Sequence, residues 1–217
     1  IDDTGNALLM GPMRGELAAV PVPYTNLRAP QFVLGTLWLL GDDSAGVTRL
    51  FTVDRVGSVD EVELALPAGA SLDQFAVSPA RARIALLVST GEVRSLGIGT
   101  VLSSGRMSVA DWRPLPMIAA SGVTLGDVSA VAWHAETAIA VAAMDSGVRS
   151  IFATEVDGSL VEELGPFSGE VEELTAVARL GGGAIALRTD AGVTWRYEAR
   201  TRWTRLGEGI SAIAYAG

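Results

Sequence analysis

The stretch from Val128 to Pro166, VSAVAWHAETAIAVAAMDSGVRSIFATEVDGSLVEELGP, decides the fold. Its apolar runs are short, and polar turns such as Asp145-Ser-Gly147 and Asp157-Gly158 separate them. The Asp-Gly pair is favoured in tight β-hairpins. The predicted strands are Val128–Trp133, Ala138–Met144, Val148–Val156 and Leu160–Leu164. A four-stranded antiparallel unit of about 40–45 residues is typical of one blade of a β-propeller.

Similar units precede and follow this stretch. Their predicted first strands end at Phe32, Ser78, Trp133, Arg179 and Tyr215. These positions recur at intervals of about 36–55 residues, as expected for radially repeated sheets. The strands predicted for the other complete units are Gln31–Val33, Leu37–Leu40, Val47–Val53 and Val59–Leu66; Phe75–Val77, Ile84–Val88, Val93–Leu102 and Trp112–Ile118; and Leu174–Ala178, Ala184–Arg188, Val193–Tyr197 and Trp203–Leu206.

The two ends of the chain supply the parts of one further unit. Ala7–Met10 and Leu17–Val20 resemble a third and a fourth strand, and Ile210–Tyr215 resembles a first strand. We therefore predict a single all-β propeller domain over residues 1–217, with about five four-stranded antiparallel blades. Pairing of the N- and C-terminal strands within one blade would close the ring and remove two open sheet edges.

An α/β fold is the alternative. Pro79–Val88 and Ala138–Met144 are rich in Ala and Leu, which favour helices. Both segments are shorter than a typical helix, and Gly or Asp-Ser-Gly turns bound them. These features favour strands.

Composition excludes several functions. The net charge is −9 and the pI is about 4.6, which disfavours binding to nucleic acid. Docking on anionic lipid by charge alone is disfavoured for the same reason.

Cysteine is absent, so disulfides and thiolate metal sites are excluded. No apolar run approaches the roughly 20 residues of a membrane-spanning helix, and no signal peptide begins at Ile1. We expect a piece of a longer protein from which the targeting segment is absent.

The candidate catalytic groups are sparse. His134 is the one histidine, and its place in a turn beside Trp133 favours a polar turn residue over a triad or metal ligand. Adjacent carboxylates on a strand point to opposite faces and do not converge as glycoside hydrolysis requires; these pairs are Asp2-Asp3, Asp42-Asp43, Glu162-Glu163 and Glu172-Glu173. Gly181–Gly183 precedes no helix pattern and reads as a turn, and the Asp-Gly turns read as hairpins rather than calcium loops. We predict no catalytic, metal or cofactor residues.

One local feature exceeds the background of the sequence. Four arginines and a tryptophan form a candidate partner-binding patch, Arg196, Arg200, Arg202, Trp203 and Arg205. Trp195 and Tyr197 are interleaved with them, and Arg188 lies upstream. Arginines among aromatic residues are typical of interfaces, and in an acidic chain they would attract an acidic partner. The alternative is an ordinary outer hairpin with aromatic side chains facing the neighbouring blade.

Several segments together resemble the C-terminal β-propeller of the LpqB lipoprotein family of actinobacteria, over nearly the whole chain. They are Leu27–Trp38, Phe75–Pro79, Arg83–Leu87, Val131–Trp133 and Glu155–Ser159. The sequence departs from the family pattern at Val33-Leu34-Gly35, where an Asp-x-Asp-Gly-like turn is expected, and at Gly181–Gly183.

The resemblance implies a non-enzymatic binding domain. Family members carry a lipidated N-terminal Cys, a GerMN-type module and then the propeller, and they are associated with the MtrAB two-component system through the extracytoplasmic region of the MtrB kinase. Carried over, this implies an extracytoplasmic, monomeric domain without a cofactor, anchored by an N-terminal lipid outside this sequence. It would modulate signalling by binding the sensor kinase. The alternative is a domain that binds a small ligand or a cell-wall glycan at the channel mouth, and an enzyme is a more distant third.

Overall fold

Strands account for all the regular secondary structure in the described part of this computed structural model. The described residues are 1, 6–11, 16, 18–103, 105–117, 125–133, 137–145, 148–159, 161–166, 171–177, 184–189, 193–198 and 202–208. In chain order the strands are β1 Leu8–Met10, β2 Ala18–Val20, β3 Thr25–Val33, β4 Thr36–Asp42, β5 Thr48–Val53, β6 Val59–Glu61, β7 Glu63–Leu64, β8 Ala70–Val77, β9 Arg83–Thr90, β10 Val93–Leu102, β11 Ser108–Pro114, β12 Gly126–Trp133, β13 Ala138–Asp145, β14 Val148–Glu155, β15 Val161–Pro166, β16 Val171–Val177, β17 Ala184–Thr189, β18 Thr194–Glu198 and β19 Arg202–Gly207.

These strands form four antiparallel meanders that we number as blades one to four. Their strand orders are β3-β4-β5-β6, β8-β9-β10-β11, β12-β13-β14-β15 and β16-β17-β18-β19, and β1 pairs with β2 in a separate sheet. The innermost strands β3, β8, β12 and β16 contact one another in sequence. The predicted all-β, propeller-like fold is therefore confirmed. Ile210–Tyr215 lies outside the described residues, so the fifth blade and the ring closure stay predictions.

Alternation of side chains explains why the blades pack on both faces. Along β4, Leu39 faces the β1–β2 sheet, whereas Trp38 and Leu40 face blade two. Along β13, Val141 faces blade two and Ala142 faces blade four, and all five side chains are fully buried. Because successive residues of a strand point to opposite faces, near-continuous apolar runs are required here. Each large buried side chain contributes about 1.5–3 kcal/mol.

Polar side chains add direct links between the inner strands. Gln31 of blade one donates to the carbonyl oxygen of Phe75 at 2.8 Å and accepts from the backbone N–H of Val77 at 2.9 Å. Gln74 of blade two donates to the carbonyl oxygen of Ser129 in blade three at 2.9 Å. The Gln31 amide thus satisfies backbone groups of the neighbouring inner strand.

Local turn chemistry positions the ends of the blades. Asp54 accepts hydrogen bonds of 2.9 Å from the backbone N–H groups of Val56 and Ser58, and Gly57 supplies the left-handed conformation at φ 85°. The turn after β14 has the same backbone form: the N–H of Gly158 donates to the carbonyl oxygen of Glu155 at 2.9 Å, as the N–H of Gly57 donates to that of Asp54 at 3.2 Å. This turn is a hairpin, as predicted. Because the strands are antiparallel, turns between first and second and between third and fourth strands share one end, the AB end. The turn between second and third strands lies at the opposite end, the BC end.

The boundary predictions fail on two outer strands. The predicted strand Val59–Leu66 is split into β6 and β7, because Val62 is buried and the chain crosses there to blade two. β7 then pairs in parallel with β11, with Glu63 opposite Ser108. The predicted strand Trp112–Ile118 in fact begins at Ser108 and ends at Pro114. Proline has no N–H to continue the ladder, and Pro116 follows at once.

The segments with the most helical composition are strands. Ala138–Asp145 and Arg83–Thr90 each pair on both sides within a blade, so the α/β alternative is wrong for them. Burial between two sheets outweighs intrinsic helix propensity in both cases.

Candidate functional site

The predicted patch lies on the outer hairpin of blade four. β18 and β19 are antiparallel, and their register places Trp195 opposite Arg205, Tyr197 opposite Trp203, and Arg196 opposite Thr204. Arg200 lies outside the described residues. The hairpin therefore brings the two ends of the predicted patch side by side on neighbouring strands.

The register also divides the patch. Alternate residues of a strand belong to opposite faces of the sheet. Positions 203 and 205 share one face with positions 195 and 197, whereas positions 196 and 202 belong to the other face. The predicted positions that belong to the described residues are therefore divided between the two faces of the blade-four hairpin.

The aromatic side chains of the hairpin are used in packing between blades. Trp195, Tyr197 and Trp203 are partly buried against a cluster of blade three, whose members are Ala130, Ala132, Ala140, Ala142, Ile151 and Leu164. The rings of Tyr197 and Trp203 lie 5.1 Å apart at an interplanar angle of 53°. Arg205 is exposed and forms an ion pair with Glu208. A role of the patch in binding stays a prediction.

The Asp42-Asp43 pair serves the structure of blade one. Asp42 accepts from Asn26 at 3.0 Å, from Thr48 at 2.9 Å and from Arg28 at 3.1 Å. Burial opposes ionisation of Asp42, but these hydrogen bonds outweigh it and lower its pKa. The backbone N–H of Val47 is the main cause that lowers the pKa of Asp43. Two carboxylates held ionised in this way are not suited to general acid catalysis.

The remaining candidates show no convergent arrangement in the described part of the chain. Glu163 accepts a hydrogen bond of 2.5 Å from Ser150 on the neighbouring strand. His134, Asp2-Asp3 and Gly181–Gly183 lie outside the described residues, as do the side chains of Glu172-Glu173. Among the residues that were described, no group of three acidic, His or Cys side chains could hold a metal ion. The same residues include no helix suited to crossing a membrane.

Comparison with curated proteins gives one informative relative. Lipoprotein LpqB of Cutibacterium acnes (strain DSM 16379 / KPA171202) is 28% identical over 183 residues, which cover 82% of this chain. The chain is similar to LpqB. This finding confirms the resemblance that the sequence predicts. The chain spans 28% of the length of that relative. No protein-family model matches the chain.

Solved structures agree with the fold. A chain in the crystal structure of a nidogen/laminin complex has a TM-score of 0.64 at 11% identity, covering 97% of this chain and 78% of that one. Kuenenia stuttgartiensis hydrazine synthase has a TM-score of 0.59 at 9% identity, with 89% and 34% covered. A Trypanosoma rangeli sialidase has a TM-score of 0.53 at 15% identity, with 94% and 41% covered. At these identities the likeness concerns the fold alone.

Sequence reasoning missed a second arrangement, at the AB end of blades one and two. There the turn Leu34-Gly35 lies beside the turn that holds Arg55 and Val56. The segment Val33-Leu34-Gly35 stands out in the sequence only as a departure from a family pattern. A bulky apolar residue before Gly in a two-residue turn, where Asn or Asp is usual, is the signal that could have drawn attention to it.

Proposed function

We propose that this chain is the propeller region of an LpqB-like envelope lipoprotein and that it binds a protein partner rather than converting a substrate. The observation that carries the proposal is the similarity to LpqB along 82% of the chain. The geometry supports it, because Asp42 and Asp43 are held in ion pairs and turn hydrogen bonds rather than in a catalytic arrangement. We assign the chain no enzymatic activity.

The proposed partner is the extracytoplasmic region of a sensor histidine kinase in an MtrAB-like two-component system. Binding would modulate the signalling state of the kinase. The resemblance to the LpqB family supports this partner, as it supports an actinobacterial source and an extracytoplasmic site for the chain. A lipid on an N-terminal segment of the full-length protein would hold it at the membrane.

The proposal includes a ring of five blades. β1 and β2 would be the third and fourth strands of the closing blade, and Ile210–Tyr215 would be its first strand. The packing of Leu8 and Val20 against the cluster that contains Leu39 and Phe51 of blade one supports this place for the N-terminal sheet. A closed ring would present a rigid surface to the partner, which lowers the entropy lost on binding.

The test is a calorimetric titration of the purified chain against the extracytoplasmic domain of the sensor kinase from the same organism, at about 50 and 200 mM salt. Saturable binding that weakens at the higher salt concentration is the expected result, because attraction between oppositely charged patches on the two proteins would be screened. Absence of binding at both salt concentrations contradicts the proposal. Saturable binding of a cell-wall glycan fragment instead would favour the alternative ligand-binding function.

A further inference from the structure

The inner turn of blade one has an unusual residue. Val33 pairs with Thr36, so Leu34 and Gly35 form a two-residue turn, and their φ angles of 49° and 81° define type I′. Type I′ turns favour Asn or Gly at the position of Leu34, because a bulky side chain is strained at positive φ. Leu34 is nevertheless 70% exposed. A strained residue whose side chain is mostly exposed points to a role other than folding.

The neighbouring turn of the same blade extends the apolar surface. Val56 occupies the tip of the turn Asp54–Ser58 and is 88% exposed. The guanidinium of Arg55 lies against Gly35, such that a Cβ at Gly35 would be 3.1 Å from Arg55 Nε. The two turns are therefore in contact through Arg55 and Gly35, which are the chain neighbours of the exposed residues Val56 and Leu34.

Blade two contributes a second arginine to this surface. Arg81 lies in the first turn of blade two and has a φ of 54°, a conformation that usually requires Gly. Its Nη1 donates to the hydroxyl of Thr36 at 3.2 Å, across the boundary between the blades. We call Leu34, Arg55, Val56 and Arg81 the turn surface.

Arginines at the two ends of these blades differ in their ion pairs. Toward the BC end, three arginines each bind a carboxylate, in the pairs Arg28–Asp42 at 3.1 Å, Arg49–Asp43 at 2.8 Å and Arg94–Asp73 at 3.2 Å. At the AB end, neither Arg55 nor Arg81 has a carboxylate within ion-pair distance among the described residues. Asp54 is the acidic residue next to Arg55 in sequence, but its carboxylate accepts hydrogen bonds from its own turn.

From this geometry we infer that the turn surface is the docking site for an acidic protein segment that carries an apolar side chain. Two arginines without a carboxylate partner among the described residues would attract such a segment, and Leu34 and Val56 would bury their exposed surface against it. The inference rests on the proposed function, because it assigns this segment to the extracytoplasmic region of the sensor kinase.

The experiment compares four proteins in the titration against that kinase domain, at the two salt concentrations. They are the unaltered chain, the apolar variant Leu34→Asn/Val56→Asn, the charge variant Arg55→Glu/Arg81→Glu and the control variant Val93→Asn. Val93 is a matched control, since it is 64% exposed but lies at the BC end of blade two. Asn at position 34 suits the type I′ turn, so the apolar variant keeps the fold. Thermal unfolding of each variant checks this.

We expect the apolar variant to bind at least about tenfold more weakly at both salt concentrations, because exposed apolar area would no longer be buried. The charge variant should also lose about tenfold or more, and its affinity should respond much less to salt. The control should stay within about twofold of the unaltered chain.

Two different failures can be told apart. If the unaltered chain binds and both turn-surface variants bind equally well, the docking site is elsewhere and the proposed function stands. If the unaltered chain does not bind the kinase domain at all, the proposed partner is wrong, and the assignment of the turn surface to it is wrong as well.

Discussion

The indole N–H of Trp133 donates a hydrogen bond of 2.6 Å to the carbonyl oxygen of Ala76, across the boundary between blades two and three. Trp133 is almost fully buried, so this bond forms away from water. Trp38, at the boundary between blades one and two, offers a natural comparison. It is also fully buried, but its Nε1 has no hydrogen-bond partner among the described residues.

Substitution of these two tryptophans by phenylalanine should therefore have unequal effects. Both changes leave a cavity, but only Trp133→Phe also leaves the Ala76 carbonyl without this donor. We expect Trp133→Phe to lower the free energy of unfolding by about 1–2 kcal/mol more than Trp38→Phe, measured by urea denaturation. Equal losses would mean that the bond to Ala76 contributes no net stability.

The amide of Gln31 is the second link between blades that can be tested. Gln31→Ala removes its bonds to Phe75 and Val77 and should cost about 1–3 kcal/mol. Gln31→Glu keeps an acceptor for the Val77 N–H but turns a carboxylate oxygen toward the Phe75 carbonyl, so it should be at least as destabilising at pH 7. Protonation of the new carboxyl restores a donor. The interaction with the Phe75 carbonyl raises the pKa of this carboxyl in the folded chain above its unfolded value of about 4.3, so the Glu variant should regain stability relative to the Ala variant as the pH falls from 7 to about 4.3. A constant difference between the two variants across this range would contradict the assigned hydrogen bonds.

Local signals in the sequence predicted most of the fold. Hairpins such as the one at Asp157-Gly158 depend on residues within the turn, so their residue types are sufficient to place them. Ala138–Asp145 could be identified as a strand because turns leave it too little length for a typical helix. The split at Val62 could not be predicted, since it depends on a pairing partner in another blade.

The candidate sites were harder to predict because they depend on register. Trp203 and Arg205 fall on one face of the outer hairpin and positions 196 and 202 on the other, a division that proximity in sequence conceals. Likewise, the sequence contains sixteen arginines, but it does not indicate which of them have carboxylate partners. Pairing across strands decides this, as with Arg28 and Asp42.

Asp42 gives the blade a defined dependence on pH. Hydrogen bonds from Asn26, Thr48 and Arg28 outweigh the opposing effect of burial, so its pKa in the folded chain is lower than in the unfolded chain. The stabilisation is therefore present above the unfolded pKa, which is about 3.9, and is lost as the pH falls through the folded pKa. Solvent screening limits its size to about 1 kcal/mol.

The measurement is the urea midpoint between about pH 7 and pH 2.5 for the unaltered chain, for Asp42→Asn and for a control, Glu92→Gln. Asp42→Asn should lower the midpoint at pH 7 and should reduce its decline with acid. Glu92 is an exposed turn residue in blade two. Glu92→Gln should therefore change neither the midpoint at pH 7 nor its decline with acid. An acid decline as steep in Asp42→Asn as in the unaltered chain would exclude Asp42 as its source.

Leu34 provides the test that separates stability from binding. Leu34→Asn creates an Asn-Gly pair at φ angles of 49° and 81°, which type I′ turns favour, and should raise the free energy of unfolding by about 0.5–1 kcal/mol. Leu34→Val should lower it, because a branched side chain tolerates positive φ least. If the Leu34→Asn variant is instead less stable than the unaltered chain in thermal and urea unfolding, then Leu34 is not strained and the turn offers no sign of function. A Leu34→Asn variant that unfolds later but binds the kinase domain less tightly would mean that the chain retains strain at this turn for contact with its partner, at the expense of stability.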